Sequence, residues 1–337
     1  MDTRIPTFVP ASISAPISAP ISAPNTAPNI APNTSPNIAP ASASSRAPVF
    51  QGIWIPLATP FRHGHVDLPA LRGLVRHYRA AGVHGLVACG TSGEAAALDA
   101  DEQLLVLDTI LAEADGLPIA MGLSGAHLGQ AAARVRQLGE RPLAGVLASA
   151  PSYVRPAQDG LRLWFETLAD AARAPLVLYD IPYRTGATLD TATLLALAAH
   201  PNIVAVKDCG GSLDKTIALI ADGRLAVMAG EDLQALATLA LGGAGAIVAS
   251  AHVRPDLHLA MFNAARAGNW DRARALFHAL APVIRLLYAH PNPGPVKAML
   301  AALHGCQDAL RPPMTAPGAE VRAALAAAIA ALPPMGK

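Results

Sequence analysis

From Val49 onward, short apolar runs alternate with longer segments whose apolar positions recur every three or four residues. The first pattern suits buried strands and the second suits amphipathic helices. Strands are predicted at Gly52–Ala58, Gly85–Cys89, Pro118–Leu123, Ala144–Ala150, Leu176–Ile181, Ile203–Asp208, Leu225–Ala229 and Gly245–Ala249. Helices are predicted between them, at Leu68–Ala81 with Asp67 as its cap, Asp101–Ala114, Gly129–Leu138, Leu161–Ala172, Thr191–Ala199 and Leu213–Ala221, with one more opened by Gly230-Glu231-Asp232. Eight apolar strands alternating with helices, at roughly 25–30 residues per unit, indicate a (β/α)8 (TIM) barrel. A doubly wound sheet is the rival, but it needs neither an eighth unit nor closure. The barrel is expected over residues 49–255. A helical, strand-free C-terminal region is expected over 256–337, with helices at Asn269–His290 and Pro295–Leu303.

Residues 1–48 break this pattern. From Ile13 they repeat ISAP, NTAP, NIAP and NTSP units, with proline at every fourth position. Regular proline forbids a helix and removes sheet donors, so the segment is expected to be an extended, disordered tail. Its prolines also interrupt the apolar core of a secretory signal. A spacer and an over-long gene start are both compatible with it.

The net charge of +1 and the absence of a basic run argue against a nucleic-acid surface. No apolar run reaches the roughly 18–20 residues of a membrane span. Cys89, Cys209 and Cys306 are odd in number and far apart, which points to a reducing compartment, the cytoplasm, rather than a disulfide framework. The histidines show no HExxH spacing, so no metal is expected.

Lysine is scarce: only Lys207, Lys215, Lys297 and Lys337 occur, and every other basic side chain is arginine. Lys207 ends an apolar strand. It is either an ordinary lysine leaving the core or one kept for what arginine cannot do, which is to lose a proton and attack a carbonyl. In a barrel the loops after the strands converge on one face. Thr91 and Ser92 follow the second strand, Tyr153 the fourth and Arg184 the fifth, while Tyr179 ends the fifth beside Lys207. Each has two readings. Gly90-Thr91-Ser92-Gly93 is a tight turn or a set of N–H groups for a carboxylate. Tyr179 is a core phenol or a proton relay. Arg184 is a surface arginine or the donor for a second carboxylate. Glu94 is read as a brace for its turn.

Together these residues resemble a known family, the dihydrodipicolinate synthase and N-acetylneuraminate lyase group of class I, lysine-dependent aldolases. The resemblance covers roughly Gly52 to Pro313. It rests on Gly90-Thr91-Ser92-Gly93-Glu94, on Tyr179-Asp180-Ile181-Pro182-Tyr183-Arg184-Thr185-Gly186, on Val206-Lys207-Asp208, on Gly230-Glu231-Asp232 and on Asn292-Pro293-Gly294-Pro295-Val296-Lys297. It implies Lys207 as the Schiff-base lysine, Tyr179 as the catalytic tyrosine, Thr91 as the relay hydroxyl and Tyr153 as a tyrosine lent by an adjacent subunit of a homotetramer. It also implies a substrate pocket that includes Thr91, Ser92, Arg184, Gly230 and Ile247. Arg184 leans toward the synthases, as does Cys209 where the sialic acid lyases carry a hydroxyl residue. Departures from the family pattern are the segment Asp208-Cys209-Gly210-Gly211, His252 in place of a frequent asparagine, and Ser152-Tyr153 in place of a tyrosine pair. They bear on the second substrate more than on the lysine.

The reaction so implied joins pyruvate, as an enamine on Lys207, to aspartate 4-semialdehyde, with no cofactor because the imine supplies the electron sink. Two alternatives stand beside it. One is another aldolase or dehydratase of this family acting on a hydroxylated 2-keto acid. The other is a keto-acid-binding barrel without turnover.

Overall fold

The computed structural model describes residues 49–334. The proline-repeat tail lies outside the described residues. Eight strands, all parallel, close into a barrel: Gly52–Pro56, Gly85–Ala88, Ile119–Leu123, Gly145–Ser149, Leu176–Asp180, Ile203–Asp208, Ala226–Ala229 and Gly245–Ile247. Each pairs with the next in sequence, and the first pairs with the eighth through Gly52 opposite Gly245. Closure excludes the doubly wound alternative. The strands are almost wholly buried because helices cover the outside while side chains fill the inside, so they read as continuous apolar runs.

One end of the barrel is plugged. The rings of Phe50 and Trp54 stack with centroids 4.8 Å apart, and the Trp54 indole donates to Gln51 O at 3.0 Å. Room for this plug comes from two strand-start glycines. A Cβ on Gly85 would lie 2.5 Å from the Trp54 ring, and one on Gly145 would lie 2.8 Å from Phe50. With the N-terminal end filled, the C-terminal mouth is where a ligand can enter.

The helices begin and end where local chemistry directs. Asp67 caps Leu68–Ala81 by accepting from Ala70 N, with Pro69 in the first turn and Gly82 closing the helix at φ 81°. Asp99 and Glu102 form a capping box at the start of Ala100–Ala114. Helices at Leu128–Gln137, Gln158–Ala171, Thr191–Leu197, Leu213–Asp222, Ala235–Ala240 and Pro255–Arg266 complete the ring, the last packing against the first strand and the first helix. Beyond the ring come Trp270–Leu287, Gly294–His304 and Ala319–Ala330. Among the described residues, no helix is long and apolar enough to cross a membrane.

Three features differ from the expected pattern. Phe61–Arg62 and His65–Val66 form a small antiparallel hairpin within what reads as a loop. Pro182–Thr185 makes a single helical turn. The long C-terminal helix starts at Trp270, because Asn269 is its cap and accepts from Arg272 N at 3.1 Å.

Candidate active site

The fifth and sixth strands bring Tyr179 and Lys207 side by side. The two residues are register partners, as are Asp180 and Asp208 after them. Side chains alternate along a strand, so Val177, Tyr179 and Ile181 face the barrel interior, as do Ala205, Lys207 and Cys209. The Lys207 Nζ stands 4.3 Å from the centroid of the Tyr179 ring, and the residue is only 5% exposed. Burial holds its amine below the ordinary lysine range. Asp232 and Glu231 pull it back, as a thiolate at Cys209 would, and Arg184 adds to the depression. Burial likewise pushes the Tyr179 phenol well above its usual range, while Thr91 and Arg184 oppose that rise.

Gly230 lies behind this pair. A Cβ there would come within 2.3 Å of Cys209 Sγ and 2.9 Å of Lys207 Cγ, so the seventh strand must end in glycine for Lys207 to keep its place. Ile247, buried on the eighth strand, belongs with Met228, Val177 and Leu147 to the apolar filling beneath the site.

Above them opens a cavity of about 460 Å³. Thr91, Tyr179, Ile181 and Arg184 line it, together with Asn292 and Arg311 from the C-terminal region. Arg184 is delivered by the turn Pro182–Thr185, which proline starts and Gly186, at φ 73°, stops. Ser92 sits behind this wall. Its hydroxyl accepts from Asn292 Nδ2 at 3.0 Å, so its side chain fixes a lining residue. Tyr153 stands apart from the rest. It is 93% exposed, has φ 73°, and does not meet Tyr179 within one chain.

The two remaining buried lysines are tied up in ion pairs. Lys297 Nζ donates to Glu94 Oε1 at 2.7 Å, and the second Glu94 oxygen accepts from Arg311 N at 3.2 Å. Glu94 therefore braces its turn, and it does so against the C-terminal region. Lys215 pairs with Asp180, immediately after Tyr179, and also donates to Leu189 O at 2.9 Å. His252 is likewise engaged. Its Nε2 accepts from Ala58 N at 3.0 Å, its Nδ1 donates to Ala249 O at 2.8 Å, and burial lowers its pKa to about 4. It is a neutral clamp on the end of the first strand. Among the described residues, no group of three or more His, Cys, Asp or Glu side chains is placed to hold a metal ion.

Sequence reasoning left Asn292 and Arg311 out of the site. Asn292 was within reach, since it opens a motif already singled out. Arg311 carries no local signal beyond the two prolines after it.

A closed barrel whose open mouth holds a buried amine beside a buried phenol defines an α/β-barrel enzyme of the Schiff-base-forming class. Residues 49–332 match the dihydrodipicolinate synthetase family, and the chain belongs to it. It is similar to the 4-hydroxy-tetrahydrodipicolinate synthase of Hyphomonas neptunium, at 37% identity over 84% of this chain and 98% of the relative. It is also similar to that of Haloarcula marismortui, at 34% over 79% and 88%. Among solved structures, the dihydrodipicolinate synthase of Aquifex aeolicus superposes with a TM-score of 0.81 at 30% identity, covering 83% of this chain and 97% of that one. A chloride-inhibited dihydrodipicolinate synthase from Acinetobacter baumannii, complexed with pyruvate, gives 0.80 at 31%, covering 83% and 98%.

The depressed Lys207 pKa has a kinetic consequence. Only a neutral amine attacks a keto carbon, so imine formation at Lys207 should rise with pH through an inflection below the 10.5 of an ordinary lysine. Stopped-flow rates of imine formation across pH measure this. An inflection at or above that value would show a solvated amine.

Proposed function

We propose that this protein condenses pyruvate with aspartate 4-semialdehyde to give 4-hydroxy-tetrahydrodipicolinate, a lyase-type reaction of lysine biosynthesis. The observation that carries the reading is the in-register pairing of Lys207 with Tyr179 under a cavity that Arg184 also lines. Lys207 Nζ adds to the keto carbon of pyruvate. Tyr179 and Thr91 move the protons that turn the carbinolamine oxygen into departing water, leaving an iminium ion. The iminium nitrogen then accepts the electron pair freed when a methyl proton leaves, and an enamine forms. Its carbon attacks the aldehyde carbon of the second substrate, whose carboxylate rests on Arg184. The amine of that substrate displaces Lys207 from the imine carbon and closes the ring. The turn at Thr91-Ser92 offers its N–H groups to the pyruvate carboxylate. Gly230 and Ile247 shape the space around the bound imine.

Tyr153 completes the relay from an adjacent subunit of a homotetramer in this proposal, and the enzyme works in the cytoplasm. Support for the exchanged tyrosine comes from its backbone. A tyrosine at φ 73° stores on the order of 1–3 kcal/mol, a strain that persists where surroundings or function require it.

Borohydride added with pyruvate should fix a reduced pyruvyl group on Lys207, located by mass spectrometry of the digest. Trapping on Lys215 or Lys297, or turnover without trapping, would sink the mechanism. Arg184→Ala should leave imine formation intact while lowering kcat/KM for aspartate semialdehyde by roughly 10- to 100-fold, the worth of a hydrogen bond to a charged group. Unchanged kinetics would favour an aldehyde without a carboxylate. For Tyr153, the check is subunit mixing. Tyr153→Phe and Lys207→Ala chains, each slow alone, should regain activity when reassembled together, because the first keeps Lys207 and receives Tyr153 from the second. Failure to recover in verified mixed oligomers would confine Tyr153 to its own chain.

A further inference from the structure

The seventh strand ends in two adjacent carboxylates with opposite surroundings. Asp232 is fully engaged: its Oδ1 accepts from Ser250 N at 2.7 Å and its Oδ2 from the Tyr288 hydroxyl at 2.8 Å. Glu231 is not. Among the described residues, two buried side-chain oxygens lack a hydrogen-bond partner, Glu231 Oε1 and Asn292 Oδ1. The two residues, each half-buried, line one hollow of about 450 Å³, which Arg184 and Tyr183 also line. Asn292 and Arg184 line the cavity over Tyr179 as well, so the hollow is a side chamber of the active site. Asn292 is held in its orientation by its own amide, which donates to Ser92, and this leaves its oxygen as a bare acceptor.

A buried acceptor without a donor is costly, and a buried carboxylate without a compensating cation more so. Two such oxygens in one chamber call for a ligand group rich in N–H donors and positively charged. Arg184, on the same wall, calls for a carboxylate. The combined demand is that of an α-amino acid head group. Hydroxyl groups would meet the hydrogen-bonding need but bring no positive charge to Glu231, which otherwise faces only the amine of Lys207.

We propose that Glu231 and the Asn292 side-chain oxygen receive the ammonium group of the aldehyde substrate while Arg184 holds its carboxylate, so that the chamber selects amino-bearing aldehydes. This rests on the reading of Arg184 given above. Glu231 then acts as a specificity residue that touches the ammonium group and not the reacting carbons.

The test separates binding from chemistry. Exchange of pyruvate methyl protons in D2O reports the Lys207 enamine without any second substrate. L-Homoserine and 4-hydroxybutyrate differ only in the amino group, carry no aldehyde, and can be titrated as inhibitors of that exchange. In the intact enzyme homoserine should inhibit on the order of 10- to 100-fold more tightly, as expected for charge-assisted hydrogen bonds. Glu231→Gln, which keeps the shape, should abolish most of that preference and leave the 4-hydroxybutyrate constant unchanged, each constant being read against the variant's own uninhibited exchange rate. Equal inhibition by both compounds in the intact enzyme overturns the proposal, and so does a Glu231→Gln variant that weakens both alike. A homoserine preference that depends on Glu231 supports it even if aspartate semialdehyde is not turned over, an outcome that would instead count against the proposed reaction. Turnover of aspartate semialdehyde without that preference keeps the reaction and removes Glu231 from it.

Discussion

An amine kept out of water at the end of a barrel strand is the constraint on which this site depends. Lysine holds a proton in water at neutral pH, so a nucleophilic lysine needs surroundings that penalise its charge. The barrel supplies them. Lys207 lies between the Tyr179 ring and the Gly230 backbone, above an interior closed by Phe50 and Trp54. Arginine could not serve here, because it does not give up its proton in proteins. The register of the fifth and sixth strands then does the positioning. Parallel pairing sets Tyr179 opposite Lys207, and a shift by one residue would turn Lys207 toward the helices.

Such a site also needs rigid walls, and these come from parts of the chain far apart in sequence. The turn that carries Thr91 is tied through Glu94 to Lys297 and the Arg311 backbone, with Lys297 lying over the Phe61 ring at 4.1 Å. The strand end that carries Tyr179 is tied through Asp180 to Lys215. Buried pairs are weak sources of net stability, but removing one partner is expensive, so each fixes a particular arrangement. The C-terminal region therefore does more than cover the barrel. It brings Asn292 and Arg311 into the cavity wall and anchors the turn that the first half of the site is built on.

The alternation of apolar runs made the barrel legible, since each strand is a run buried on both faces and each helix carries a stripe. Lys207 was legible for a compositional reason, its scarcity amid arginine. What escaped was tertiary. Nothing local marks Asp180 and Lys215 as partners, and nothing local separates Glu231 from Asp232, whose fates are decided by Tyr288 and Ser250. The helix at Ala319–Ala330 is alanine-rich with one buried leucine, so it lacks the periodic contrast by which the others declare themselves. The hairpin at Phe61–Val66 has strands of two residues, too short for alternation to register. Tyr153 shows the reverse situation. Its motif suggests a role that one chain alone leaves at the surface.

Cys209 shows how finely the amine is balanced. A thiolate beside Lys207 would favour the ammonium form, working against nucleophilic attack. Burial, however, pushes the Cys209 thiol far above its ordinary range, with Lys207 opposing and Glu231 reinforcing the rise. A thiol held that high stays neutral while the depressed lysine titrates, so its pull on the amine is absent near neutral pH. What remains beside Lys207 is a small, weakly polar side chain, together with the attraction of Asp232 and Glu231. Of these two carboxylates, Asp232 is already engaged by Tyr288 and Ser250, whereas Glu231 retains an unpartnered oxygen. A cation seated on Glu231 would cancel its attraction for the lysine proton and favour the free amine. The charge proposed to select the second substrate is thus also placed to influence the lysine proposed to bind the first.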